Sequence, residues 1–223
     1  MAMRVDVLLF ERFDLLDAGG PYEVFHAANR MAERRGLPAC FEVRSVAATT
    51  RPVRAFGGLT VTPDVAVPPS PDASTAADGP GWTPPDVLVV PGAIDVDAVV
   101  ADGTTVPAIR AAADGAGIVA SVCTGSLLLG ASGLLEDVAG GTTHHEDLDA
   151  LAHHLDDRVV AGVRVVDAGR IVTGAGLTSG LATALHLVDR FFGPQLAIAV
   201  ASNLEHPWVP GEDVAQVGAS AAS

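Results

Sequence analysis

Short apolar runs alternate along the chain with stretches in which apolar positions recur every three or four residues, and turns containing Gly or Pro separate them. Residues 5–10 read as a first buried strand. A loop over 11–20 carries Leu15-Leu16-Asp17-Ala18-Gly19-Gly20, and Pro21 then opens a helix whose Val24, Phe25, Ala28 and Met31 share one face until Arg34-Arg35-Gly36 closes it. Residues 41–47 alternate apolar and polar side chains as a half-buried strand does. Residues 53–62, with Gly57-Gly58 between two β-prone runs, predict a hairpin. The run 86–90 is nearly continuous in apolar residues and stops at Pro91-Gly92-Ala93, the pattern of a central parallel strand.

Two short helices, 95–101 and 106–116, lead to an apolar strand over 117–122 and a leucine-rich helix from Leu127 that Gly133 ends. A short strand at 140–144, a helix at 146–155 and a strand pair at 163–167 and 170–173 around Gly169 follow. Next come an amphipathic helix at 181–192, stopped by Gly193, a last helix at 194–204 and a loose tail at 211–223. There are no internal repeats. Strands alternating with helices predict an α/β fold: a doubly wound, flavodoxin-like, mostly parallel sheet with helices on both faces.

Composition narrows this reading. The 223 residues fit a single domain, 1–223, and a chain that is 49% hydrophobic but only 4% aromatic must build its core from Ala, Val and Leu. The stretch 67–85, rich in Pro, Ala, Asp, Ser and Gly with one Trp82, reads as a surface loop inserted within the domain. A net charge of −14, from 27 acidic against 13 basic residues, argues against nucleic acid as a partner. Cys40 and Cys123 lie too far apart in sequence to suggest a disulfide framework, so a reduced, intracellular protein is expected. The N-terminus lacks a signal-peptide layout and no stretch has the apolar length of a membrane span. The expected location is the cytoplasm.

The candidate chemistry centres on Ala120-Ser121-Val122-Cys123-Thr124-Gly125-Ser126, where a strand turns sharply into a helix with a thiol at the bend. Ser121 and Gly125 supply the small flanks that such a turn needs. The backbone N–H of Thr124 and the start of the helix would favour a thiolate at Cys123; the alternative is a buried cysteine that fills a gap. Asp17 falls in a strand-to-helix loop, where open α/β sheets keep their ligands, although a turn or capping carboxylate would sit there too. Glu23 is a second acid whose simplest role is at the helix N-terminus, and Cys40 reads as structural. The N–H of Ala93, after Gly92, could complete with Thr124 a site for developing negative charge; otherwise 91–93 is an ordinary turn. His145, Asp149 and His153 fall four apart on one predicted helix face, but a solvated helix end explains the histidines more simply and no metal is expected. Thr178 or Ser179 reads as an N-cap, and His186 as packed or paired.

These residues carry a resemblance. Leu16-Asp17-Ala18-Gly19-Gly20-Pro21, Pro91-Gly92-Ala93, Ser121-Val122-Cys123-Thr124-Gly125-Ser126, Gly141-Thr142-Thr143-His144 and Gly174-Ala175-Gly176-Leu177-Thr178 occur in an order that resembles the ThiJ/PfpI family of the class I glutamine amidotransferase-like superfamily. Within it the isocyanide hydratase branch is most similar, and the likeness runs from Val5 to about Glu205. It implies a Cys123 nucleophile, Asp17 as its hydrogen-bonded acid/base partner, and oxyanion donors at Ala93 and Thr124. Gly92, His144, Gly176 and Thr178 would then border the pocket. It also implies a homodimer that takes a small-molecule substrate without cofactor. Three departures stand out: Pro-Gly-Ala where Pro-Gly-Gly is usual, His145 where an aromatic residue often follows Thr-Thr-His, and the Pro-rich loop before Val87. Thr124, in place of the His next to the cysteine in protease-like members, argues against peptidase activity.

The expected activity is hydration of an isocyanide to an N-substituted formamide. The alternatives are cysteine chemistry of the same family on 2-oxoaldehydes, or a non-enzymatic ligand sensor like the N-terminal halves of AraC-type regulators.

Overall fold

A computed structural model describes residues 1–68 and 82–218. Its strands are β1 (Met3–Leu8), β2 (Phe41–Ala47), β3 (Val53–Arg54), β4 (Thr60–Val61), β5 (Val65–Ala66), β6 (Val87–Val90), β7 (Ile118–Val122), β8 (Val165–Ala168), β9 (Ile171–Gly174) and β10 (Val214–Gln216). Its helices are α1 (Leu15–Glu33), α2 (Val96–Val100), α3 (Thr105–Ala113), α4 (Gly125–Ala131), α5 (Leu148–Leu155), α6 (Ser179–Phe192) and α7 (Pro194–Asn203). Among the described residues none of these helices is long and apolar enough to cross a membrane.

The main sheet has eight strands in the order β10-β8-β9-β7-β6-β1-β2-β5, and every pairing in it is parallel except β8 with β9. This is the expected doubly wound, mostly parallel α/β architecture. The central strands explain their own position: all four residues of β6 and all five of β7 are buried. Such Val-rich runs gain about 1.5–3 kcal/mol for each aliphatic side chain taken from water, which a sheet covered on both faces alone can supply. Helices α1, α6 and α7 pack together, as do α2 to α5, and both groups reach β7.

The chain leaves β1 for β2 in one direction and reaches β6 and β7 in the other, so the order of winding reverses between β1 and β6. Segments that leave the carboxyl ends of the strands on either side of that reversal border a crevice. Those segments carry Asp17 after β1, Gly92 after β6 and Cys123 after β7.

The structure corrects several boundaries. Helix α1 begins at Leu15, with Asp14 as N-cap accepting the Leu16 N–H at 3.1 Å, and Pro21 lies inside it. Asp17 is therefore in the first helical turn and not in a loop. Pro21, having no N–H, leaves the Asp17 carbonyl without its usual helical partner. Residues 140–144 do not form a strand; only Gly141 makes an isolated bridge, with Val159. The predicted helix at 146–155 is a 3-10 turn, His145–Asp147, followed by α5, so His145 is not on the helix of Asp149 and His153. Among the described residues these side chains do not gather into a metal-binding group. Most of the 67–85 loop lies outside the described residues, as do 219–223 of the tail. The rest of the tail is not loose throughout, because β10 pairs with β8.

Candidate active site

Cys123 stands where β7 bends into α4, with φ at +57°. That left-handed conformation costs a non-glycine residue about 1–2 kcal/mol, and the surroundings hold it. The Cys123 N–H donates to Gly174 O at 3.1 Å and Ala175 O at 2.9 Å, while its carbonyl accepts the Thr143 hydroxyl at 3.0 Å. Strand β9 and the 142–144 segment thus brace the bend from two sides. The N–H groups of Thr124 and Leu177 lie near the sulfur and favour its ionised form, and Leu177 is also held at positive φ. Leu177 belongs to the 174–178 motif, but the motif by itself gives it no role of its own. The signal available for it was its place in the loop leaving the carboxyl end of β9, which must open on the same crevice.

Asp17 is fully buried, next to the thiol. Its Oδ2 accepts the Gly92 N–H at 3.0 Å, and its Oδ1 has no hydrogen-bond partner of good geometry. The backbone N–H of Asp14 donates to Gly92 O at 2.8 Å, clamping the start of α1 to the turn after β6. Gly92 is required by this closeness: a Cβ there would lie 2.5 Å from Thr124 Oγ1 and 2.8 Å from Asp17 Oδ2.

Burial pushes the Asp17 carboxyl up from 3.8 to about 7, with the charge of Asp14 adding to it and the bonds from Gly92 and Cys123 opposing it. Burial, with the charge of Asp17, also pushes the Cys123 thiol up from 9.0 to about 11, in spite of the two N–H donors. The Asp17 carboxyl thus titrates near neutrality. The expected stable thiolate is absent, because α4 is only seven residues long and desolvation outweighs its N-terminal donors. In so dry a pocket two adjacent negative charges are disfavoured, so thiol and carboxyl titrate as a unit.

The Ala93 N–H is not a free oxyanion donor as expected. It donates to Thr124 Oγ1 at 2.9 Å, and the same hydroxyl donates back to Ala93 O at 2.7 Å. Thr124 thus latches the turn after β6 onto the bend after β7.

A cavity of about 1010 Å³ opens above the sulfur, and Cys123, Thr124, Ala93, His144 and Leu177 all line it. Gly92, Gly176 and Thr178 do not line it. Gly176 shapes it indirectly, since a side chain there would strike the His144 ring. His144 accepts the Glu146 N–H through Nδ1 at 3.3 Å and stacks on His145 with ring centroids 4.3 Å apart. Thr178 takes the N-cap position of α6 but makes no capping bond through its side chain, and Ser179 is the first helical residue. Glu23 pairs with Arg30 at 2.7 Å, away from this cavity, and Cys40 is buried and unbridged. His186 is paired, as expected, with Asp167 at 2.7 Å.

The fold is shared with known proteins. Residues 3–190 match the DJ-1/PfpI family. The chain is 35% identical over 217 residues to the isonitrile hydratase of Pseudomonas putida, spanning 96% of this chain and 82% of that protein. A THiJ/PfpI family protein from Pseudomonas syringae superposes with a TM-score of 0.74 at 26% identity, covering 95% of this chain and 78% of that one. DJ-1beta of Drosophila melanogaster has the same fold, with a TM-score of 0.71 at 18% identity over 93% of this chain and 100% of that one.

Proposed function

The chain belongs to the DJ-1/PfpI family, and from that premise we propose that it hydrates a small electrophile through Cys123, an isocyanide R–N≡C yielding an N-substituted formamide being the reaction that the name of its Pseudomonas putida relative suggests. The observation that carries this reading is the buried Asp17 carboxyl next to the Cys123 thiol, with Oδ2 anchored by Gly92 and Oδ1 left unpartnered, while the thiol itself lines an open cavity.

The chemistry follows from where that pair holds its protons. Near neutral pH the thiol is protonated and Asp17 is close to half ionised. The Asp17 carboxylate takes the thiol proton as sulfur bonds to the terminal carbon, and the resulting carboxylic acid delivers that proton to the same carbon. The product is a thioimidate, R–N=CH–S–Cys123. Water then adds to its carbon with Asp17 as base, the nitrogen gains a proton, and collapse of the adduct breaks the C–S bond. This releases R–NH–CHO and returns the proton to sulfur. The N–H groups of Thr124 and Leu177 stabilise negative charge on sulfur in both the attack and the expulsion.

Purified protein should consume an isocyanide and form the formamide, as followed by NMR, with kcat/KM rising as the pH passes through about 7. Cys123→Ala should abolish turnover; full activity in that variant would overturn the mechanism. Assay of 2-oxoaldehydes in parallel distinguishes the other cysteine chemistry of the family, since the true substrate class alone should saturate. The same reading makes the protein a cytoplasmic homodimer acting on a small molecule, without nucleic acid, membrane or cofactor. Sedimentation velocity tests the dimer.

A further inference from the structure

The cavity over Cys123 has a charge of its own. Five carboxylates line it: Asp14 before α1, Asp95 and Asp97 at the start of α2, and Glu146 and Asp147 in the 3-10 turn. Among the described residues the one lysine or arginine lining it is Arg12. The remaining titratable groups there, beside Cys123 itself, are His144, His153 and His154, and burial holds His154 below its ordinary value. None of the five carboxylates forms an ion pair with Lys or Arg among the described residues; Glu146 and Asp147 face only His144, at 3.7 and 3.6 Å. Counting histidine as neutral, the walls carry a net charge of −4, and the charge of Asp14 reaches both Asp17 and Cys123.

The mouth also carries apolar side chains. Ile94, Val100 and Leu177 are exposed there, at 64%, 38% and 40%. A cleft of one sign with low-dielectric walls concentrates ions of the opposite sign. A neutral ligand gains nothing from it, and an anion is repelled.

We propose that this cavity selects small cationic electrophiles, molecules with an ammonium group on a short apolar stem. Their electrophilic atom meets Cys123 while the cation faces Asp14, Asp95, Asp97, Glu146 and Asp147. The proposal rests on the reading of Cys123 as the reacting thiol and adds the charge class of its substrate.

The test uses three methanethiosulfonates on the full-length protein: the 2-(trimethylammonio)ethyl, 2-sulfonatoethyl and methyl reagents. Each forms a disulfide with the ionised thiol and expels methanesulfinate, the thiol proton going to solvent, so the rate reports access of each charge type to the sulfur. Rates are divided by those of the same reagents on 2-mercaptoethanol, and peptide mapping assigns the label to Cys123 and not Cys40. The cationic reagent should exceed the anionic one by about ten-fold or more at low ionic strength. The ratio should shrink toward one as salt approaches about 0.5 M, where the screening length falls to a few ångströms. Asp95→Asn combined with Asp97→Asn should lower it several-fold without unmaking α2, because the first substitution keeps a side-chain oxygen for the Ala98 N–H that Asp95 accepts. A normalised ratio near one, a ratio favouring the anion, or one that salt leaves unchanged overturns the proposal. A trimethylammonioalkyl isocyanide should likewise show higher kcat/KM than its uncharged tert-butyl isostere. If neither isocyanide turns over, the hydratase reading fails, and the thiol ratios alone decide the question of charge.

Discussion

Replacing Asp17 by Asn should stabilise the protein at alkaline pH relative to acid pH, even as it removes the proposed acid/base group. The carboxyl is fully buried, and its pKa lies at about 7 against an ordinary value of 3.8. Between those two values the folded protein keeps a proton that the unfolded chain has already released. The contribution of Asp17 to stability is therefore greatest below pH 3.8 and is lost as the pH rises to about 7. The whole shift corresponds to about 4 kcal/mol, of which about 3 kcal/mol falls between pH 5 and pH 8. Asn does not titrate. It can still accept the Gly92 N–H, but its amide N–H₂ would occupy the position where Oδ1 has no partner, at a cost of about 1–3 kcal/mol that does not depend on pH. The difference between the two pH values removes that constant cost. Urea unfolding, followed by the fluorescence of Trp82 and Trp208, should show the variant gaining about 3 kcal/mol on the native protein between pH 5 and pH 8. The thiol keeps its proton across this window, being pushed up to about 11, so a single proton leaves the pair there. Equal differences in stability at pH 5 and pH 8 would refute the reasoning, because they would mean that Asp17 is ionised in the folded state throughout.

Thr124→Val should lose about 2–3 kcal/mol, since it strips the partner from both the N–H and the carbonyl of buried Ala93, whereas Thr124→Ser should stay within about 1 kcal/mol of native in the same denaturation assay. Asp167 accepts bonds from His186 at 2.7 Å and Arg190 at 3.1 Å; burial raises its pKa, but these bonds and the Gly169 N–H outweigh it and hold the carboxyl below its ordinary value. Its contribution is thus present above about pH 3.8 and lost as the pH falls through the lowered value. Asp167→Asn should cost about 2–3 kcal/mol at pH 7, less than a fully buried pair because Arg190 is one-third exposed. Hydrogen exchange should quicken in β10, because Gln216 stands opposite Asp167 and the Val217 N–H bonds to its carbonyl; unchanged exchange would separate the cluster from the C-terminal strand.

What the sequence determined by itself was whatever depends on neighbours a few residues away. The apolar run 87–90 and the run 118–122, apolar but for Ser121, announced central parallel strands, because such segments can bury both faces in no other way. Cys123 was legible because small residues on both sides of it, between a strand and a helix, leave room for a sharp bend. Other features depended on contacts between distant segments. Pro21 looked like the start of a helix because proline suits a first turn, yet the clamp of Asp14 on Gly92 and the Asp14 cap start α1 six residues earlier. The tail had no amphipathic signal to show, since β10 is placed by backbone pairing with β8 and by its neighbour Asp167. The expected thiolate failed for the same reason: donors to a sulfur can be guessed from a local motif, but the water removed from around it is counted only after α1, β6, β7 and the 175–177 loop have closed over one point. Desolvation is a property of the assembled pocket, and it set the protonation of Asp17 and Cys123.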